Sequence, residues 1–462
     1  MFNKVLVANR GEIACRILRT CERLGVHTVA VFSDADVTGL PVSHADEAVR
    51  LGPAPAKESY LNIPSLVAAI EYTGAEAVHP GYGLLSENAD FARAVAEAGA
   101  VFIGPPPAAL EVFGDKIAAR RLARAAGVEP PPGSEGPLDP EATEAVKAEA
   151  ARIGYPLLVK AAGGGGGIGM QIVEDEPGLE QAVKTCAARG QAAFADPRVY
   201  LERYIKSPRH IEVQVFCDSA GHAVALGERE CSVQRRHQKV IEESPSPAAF
   251  FDGLEGEARR QELFASALRI VKSAGYVGAG TVEFVADAAG QFYFLEVNAR
   301  LQVEHPVTEM VTGLDLVELQ LRVASGEALS ATALNVKCSG VSLEARVYAE
   351  DPARGFIPQP GKLTHVVWPS GPGIRVEAGV EVGSEVSVHY DPLLAKIVAF
   401  APTRAEAVAR LDLALSHTEL TLMGPKGERA TNLSFLRSIL GSSAFQSGQY
   451  STDLIANLLK PS

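Results

Sequence analysis

The chain opens on a short apolar run, Lys4-Val5-Leu6-Val7-Ala8, that reads as a buried strand. Helical spacing follows from Ile13 to Leu24 and stops at Gly25. His27–Phe32, Ala75–His79 and Ala100–Ile103 repeat the strand pattern, each preceded by helical sequence. This rhythm predicts a doubly wound parallel sheet over the first hundred or so residues.

The pattern changes near Gly114. Residues 130–140 (PPPGSEGPLDP) form a Pro/Gly-rich connector. A smaller unit is expected from Tyr155 to about Leu201, with strands Pro156–Lys160 and Met170–Val173 on either side of a glycine run. Strand-rich sequence returns over Ile211–Leu226 and Thr281–Val297, followed by the helical stretch Leu314–Ala324. Beyond about Thr332 come short strands at Ser342–Tyr348, Lys362–Val367, Gly373–Glu377 and Glu385–Val388, then a helix over Arg404–His417. The expected division is an α/β domain over 1–113, an α+β domain over 114–331 with a mobile flap at about 132–203, and a mostly β domain over 332–462.

Composition narrows the function. A chain of 462 residues with 47% hydrophobic and 21% charged residues is an ordinary globular protein of several domains. The net charge of −13 excludes a global footprint for nucleic acid and a polybasic membrane patch. The six cysteines include no CxxC pair and read as reduced, mostly buried thiols. The start MFNKVLVANRGE reaches charge too soon for a signal peptide, and no apolar run reaches 18 residues. These features predict a cytoplasmic location.

Three motifs carry chemistry. Asn9-Arg10-Gly11-Glu12 follows a strand but lacks GxGxxG spacing, so a dinucleotide site is not expected. Gly163 to Gly167 are five consecutive glycines after Lys160, and their N–H groups can approach phosphate oxygens without Cβ interference. The spacing GxxxxGK[ST] is absent, so the run reads as a strand–loop–strand flap over a nucleotide, the ordinary alternative being a flexible linker. Residues 281–298 form a hairpin pattern. Pairing Ala286 with Gln291 places Glu283 opposite Phe294, with Glu296 and Asn298 further along the same face. Two carboxylates and an amide oxygen suit Mg²⁺ or Mn²⁺ beside nucleotide phosphates. Two solvated glutamates are the plainer alternative, but the surrounding Phe, Leu and Val favour burial.

The ordered motifs VANRGEIACRI (7–17), HPGYGLLSEN (79–88), GDK (114–116), KAAGGGGGIGM (160–170), ERYIKSPRHIEVQ (202–214), ERECSVQRRHQKVIEE (228–243), GTVEF (280–284), EVNARLQVEHPVTEM (296–310) and EARVYAEDP (344–352) cover nearly the whole chain. Together they resemble the biotin carboxylases, the ATP-grasp components of biotin-dependent carboxylases. The resemblance implies that the central α+β domain is an ATP-grasp unit. It implies contacts to ATP from Lys116, Lys160, Gly166, Gly167, Glu202, Arg203, Ile205, His210, Gln234 and His237. Glu283, Glu296 and Asn298 would hold Mg²⁺ or Mn²⁺, the two glutamates also facing ATP. Lys239, Arg300, Gln302 and Val303 would bind bicarbonate, Glu304 would be the base, and Arg346, with Tyr82 and Gly83, would face biotin. Lys239, Arg300, Glu304 and Arg346 would form the catalytic set. Without the motif context, His210 would be a core histidine, RRHQK a solvated face and Arg346 a surface arginine.

Two departures stand out. Ile168 occupies a position where the family pattern usually carries Arg or Lys, and Ile168→Arg is expected to change the apparent ATP affinity by less than about tenfold, read from nucleotide kinetics. The segment 421–436 is longer and more polar than the usual turn there. None of the four methionines precedes a lysine, so no biotin attachment motif is expected on this chain. The resemblance implies a biotin carboxyl carrier protein and a carboxyltransferase on separate chains, and a homodimer. Two other classes share some features: an ATP-grasp carboxylate–amine ligase, and a non-catalytic ATP-binding subunit.

Overall fold

The computed structural model describes residues 1–161, 170–194 and 196–460. The glycine-loop residues Gly166, Gly167 and Ile168 lie outside these described residues.

The first layer is the parallel sheet expected from the alternation. Its spatial order is Glu47–Gly52, His27–Ser33, Lys4–Val7, Ala77–His79 and Val101–Phe102. Val5 and Val7 pack on one side with Ile13, Ile17 and Leu18 of the helix Gly11–Arg23. Leu6 packs on the other side with Leu66 and Ile70 of the helix Ile63–Thr73. Burial on both faces explains the unbroken apolar run.

The largest element is an eight-stranded antiparallel sheet. Its order is Phe292–Asn298, Gly278–Ala286, Arg209–Cys217, Ala223–Arg235, Gln238–Ser244, Val341–Tyr348, Leu393–Ala401 and Ile374–Ala378. The strand Gln238–Ser244 pairs directly with Val341–Tyr348, so one sheet runs through the central and C-terminal parts of the chain. Strict alternation sorts its two faces. Ile211, Val213 and Val215 join Leu263, Ala267 and Ile270 of the helix Gly253–Ser273 in an apolar core. Glu212 and Gln214, of opposite parity, carry buried polar groups on the other face.

A three-stranded sheet, Met170–Val173, Leu157–Ala161 and Val199–Arg203, has its own core with the helix Thr143–Ile153. The polar segment beginning at residue 421 forms part of a hairpin, Glu419–Gly424 with Gly427–Arg429, at the edge of a four-stranded sheet. Among the described residues no helix is long and apolar enough to cross a membrane.

Candidate active site

The polar face of the eight-stranded sheet holds a linked group of buried charges. Lys239 Nζ donates to Glu212 Oε2 at 2.5 Å, Glu283 Oε1 at 2.8 Å and Glu304 Oε1 at 2.7 Å. Three carboxylates outweigh the burial that opposes a buried ammonium, and they raise the Lys239 pKa well above its usual value. Register shifts on both sides of Val233 in the pairing with Gln238–Ser244 mark β-bulges beside Lys239.

Glu304 occupies the N-cap of the helix His305–Thr312, which has Pro306 in its first turn. Its second oxygen accepts from Arg346 Nη2 at 2.9 Å, and the same nitrogen lies 2.5 Å from Glu242. Burial pushes the Glu304 pKa up, but Lys239, Arg346 and Arg229 outweigh it and hold the carboxyl ionised. Arg346, expected on the bland reading to sit at the surface, is 6% exposed.

The acidic hairpin departs from the expected register. Ala286 pairs with Phe292 rather than Gln291, and the two strands shift between Phe284 and Glu283. The Ala286–Phe292 offset moves the pairing by one residue and the extra residue Leu295 moves it by a second, so Glu283 lies directly opposite Glu296 rather than opposite Phe294. The first offset comes from the loop, where Asp287 N–H donates to the Gln291 carbonyl and takes Gln291 into the turn. Two carboxyls now face each other. Burial and then Glu283 raise the Glu296 pKa, while Glu283 is held ionised by Lys239 and His210 against its own burial. Such a pair fits a divalent cation, whose charge removes the repulsion and whose hard oxygen preference suits both carboxyls. His210, Glu212 and Glu283 also present ligand atoms within 4.8 Å of one another.

Around this centre, Gln302 Nε2 donates to Glu283 at 3.0 Å and His210 Nε2 lies 3.0 Å from Glu283. Arg300 donates to Asn298 Oδ1 at 2.8 Å. Val303 offers its carbonyl to Lys396 at 2.7 Å. Lys160 and Glu202 pair at 2.7 Å on adjacent strands. Burial first, then Lys160 and His210, lower the His237 pKa. Lys116 starts the helix Lys116–Ala125, and Gln234 lies across from Lys239. Arg203 turns away, donating to the Ile153 carbonyl of the small unit, next to the half-buried Ile205. Tyr82 and Gly83 sit in the loop after Ala77–His79, where Asn9 donates to the Pro80 and Tyr82 carbonyls at 2.7 and 2.8 Å. Gly81 adopts φ +63°, and a Cβ there would meet the Asn9 amide at 2.8 Å.

Family descriptions match in order along the chain: "Biotin carboxylase, N-terminal domain" over residues 1–110, "Carbamoyl-phosphate synthase L chain, ATP binding domain" over 115–332, and "Biotin carboxylase C-terminal domain" over 344–457. The chain belongs to the biotin carboxylase family. It is 49% identical to the biotin carboxylase of Pseudomonas aeruginosa, covering 97% of this chain and 96% of that one. It is 47% identical to the propionyl-CoA carboxylase alpha chain of Ruegeria pomeroyi, over 99% of this chain and 68% of that one. Among solved structures, the biotin carboxylase domain dimer of the Hydrogenobacter thermophilus 2-oxoglutarate carboxylase, in complex with MgADP, ADP and bicarbonate, superposes with a TM-score of 0.91 at 41% identity. That match covers 99% of this chain and 98% of the other. The fold is the three-part biotin carboxylase architecture, with its parallel sheet, ATP-grasp centre and C-terminal antiparallel strands.

The sequence expectations did not include the residues that support this charged cluster. Arg229, fully buried, donates to Glu212, Gln214, Thr308, Thr281 and Gln302. Glu87 accepts from the Ala299 N–H at 2.9 Å and from Arg300 at 2.8 Å. Glu228-Arg229-Glu230 in mid-strand was the available signal, because three successive charges must serve both faces of a sheet.

Proposed function

We propose that this chain carboxylates biotin carried on a separate carrier protein, using ATP, Mg²⁺ (or Mn²⁺) and bicarbonate. The reading places it as a ligase forming a carbon–nitrogen bond, in the first half-reaction of an acyl-CoA carboxylase. The observation that carries it is Lys239 bridging Glu212, Glu283 and Glu304, with Arg346 on the far side of Glu304.

Each residue then has a task. Lys116 and Lys160 meet the nucleotide phosphates. Residues 202–205, His210, Gln234 and His237 hold the rest of the nucleotide. Glu283, Glu296 and Asn298 would hold a divalent cation, which would supply positive charge at those phosphates. Arg300, Lys239, Gln302 and Val303 hold bicarbonate beside Glu304. Glu304 removes its proton, so the bicarbonate oxygen attacks the γ-phosphate and gives carboxyphosphate and ADP. Carboxyphosphate releases CO₂ and a phosphate trianion, which deprotonates biotin N1′. Arg346 stabilises the ureido oxygen, Tyr82 and Gly83 flank the ring, and the nitrogen captures CO₂.

The ion pairs of Glu304 serve this sequence. They keep it ionised until bicarbonate draws Lys239 away, and its affinity for a proton then rises. The propionyl-CoA relative supports an acyl-CoA as final acceptor, and the dimeric 2-oxoglutarate relative supports a homodimer. Carrier and transferase supplied by other chains, and a cytoplasmic location, belong to the same reading. The test is ATP hydrolysis by the full chain with free biotin. Turnover requiring both bicarbonate and biotin supports the reading. Bicarbonate-independent turnover with an amine would establish a carboxylate–amine ligase instead, and nucleotide binding without turnover a non-catalytic subunit.

A further inference from the structure

Two cations grip one short segment from neighbouring strands. Arg346 and Lys396 stand directly opposite each other on Val341–Tyr348 and Leu393–Ala401. Arg346 holds the Glu304 carboxylate, and Lys396 Nζ donates to the Val303 carbonyl at 2.7 Å. That carbonyl belongs to the peptide joining Val303 to Glu304. The two contacts therefore fix both the side chain and the backbone of the residue assigned as base.

Opposed like charges on buried strands repel, and each needs its own counter-ion. Arg346 has Glu242 and Glu304. Lys396, 0% exposed, has Glu12 Oε1 at 3.1 Å. Glu12 comes from the first turn of the helix Gly11–Arg23, in the N-terminal layer. The Tyr82 hydroxyl donates to the same oxygen, and the Lys396 ammonium lies 5.9 Å from the Tyr82 ring centre. A continuous path thus runs from Tyr82 through Glu12 and Lys396 to the Val303–Glu304 peptide. Stability alone is a weak reason for it, because apolar replacements of a buried ion pair are often neutral or stabilising.

We propose that Lys396 and Glu12 form a positioning pair, which orients the Val303–Glu304 peptide for bicarbonate and ties it to Tyr82 on the biotin side. Neither residue touches the reacting atoms; Lys396 acts through Val303 and Glu12 through Lys396 and Tyr82. The inference rests on the carboxylase reading above.

The experiment compares the parent chain with the charge-neutral double variant Lys396→Met/Glu12→Gln, and includes a thermal melt. Steady-state ATP hydrolysis is measured while bicarbonate, biotin and ATP are varied in turn. The expected result is a folded double variant whose kcat/KM for bicarbonate falls by about tenfold or more, with the kcat/KM for ATP within about threefold of parent. Loss shared equally by all three substrates, or a kcat/KM for bicarbonate within about threefold of parent, overturns the positioning role. Loss of the cooperative melt assigns the pair to stability and overturns it as well. A parent chain without bicarbonate- and biotin-dependent hydrolysis overturns the carboxylase reading and this inference together.

Discussion

Glu304 shows how little a residue's identity says about its chemistry. As one carboxylate before His305 it carries no signal, yet three cations hold it ionised inside the sheet. Glu304→Gln is expected to lower the biotin-dependent rate by a factor of about 100 or more while ATP affinity changes little. Steady-state assays and nucleotide titration check this, and near-parent turnover would remove the base assignment. Arg229 is the complementary case, a residue with no expected role that joins five side chains through one planar fork. Arg229→Lys keeps the charge but cannot span those acceptors. Chemical denaturation should show a loss of about 3 kcal/mol, because a buried ionic network is left partly unpaired.

Strands and turns were legible to different depths. Apolar runs and alternation located several strands closely: Met170–Val173 was expected and observed with the same bounds, and Ser342–Tyr348 became Val341–Tyr348, whereas Gln238–Ser244 and Leu393–Ala401 were not expected. Register was not legible. The turn and a single unpaired residue, Leu295, together shift the pairing of the acidic hairpin and bring Glu283 opposite Glu296. Periodicity encodes neither how the turn closes nor where a bulge falls. The hairpin joining Ala223–Arg235 to Gln238–Ser244 has a two-residue loop, with Arg236 at φ 49° and His237 at φ 68°. Arg236 does not favour the left-handed region, whereas Asn does so at the first position of such a turn. Arg236→Asn should therefore stabilise the chain by about 0.5–1 kcal/mol, measured as a raised denaturation midpoint at unchanged slope.

The whole molecule is tied across its layers by buried ion pairs. Glu377, on the strand Ile374–Ala378, accepts from Arg375 at 2.6 Å and from Arg19 of the N-terminal helix Gly11–Arg23. Burial pushes its pKa up, but Arg375, Arg19, Lys396 and Arg16 outweigh that and lower it to about 2. A carboxyl with a depressed pKa contributes stability that is present above its unfolded pKa and lost as pH falls through its folded one. For Glu377 the window runs from about 4.5 down to about 2. Glu377→Gln should destabilise the chain at neutral pH by about 3 kcal/mol. It should also flatten the fall in unfolding free energy across that window, measured by denaturant titration at stepped pH. A slope equal to the parent's would show that Glu377 carries none of the acid sensitivity.

Local sequence by itself determined many of the strand and helix positions and the motif residues, but not the strands Gln238–Ser244 and Leu393–Ala401 or the helix Gly253–Ser273. Side-chain alternation and ordered motifs are written along the chain, and each constrains only its neighbours. Tertiary structure alone decided which charges meet. Lys239 and Glu304 are 65 residues apart, and Lys396 and Glu12 lie at nearly opposite ends of the chain. Burial in a continuous eight-stranded sheet leaves these groups little water, so each charge must find its partner in space. Those pairings set the protonation and orientation on which the proposed chemistry depends.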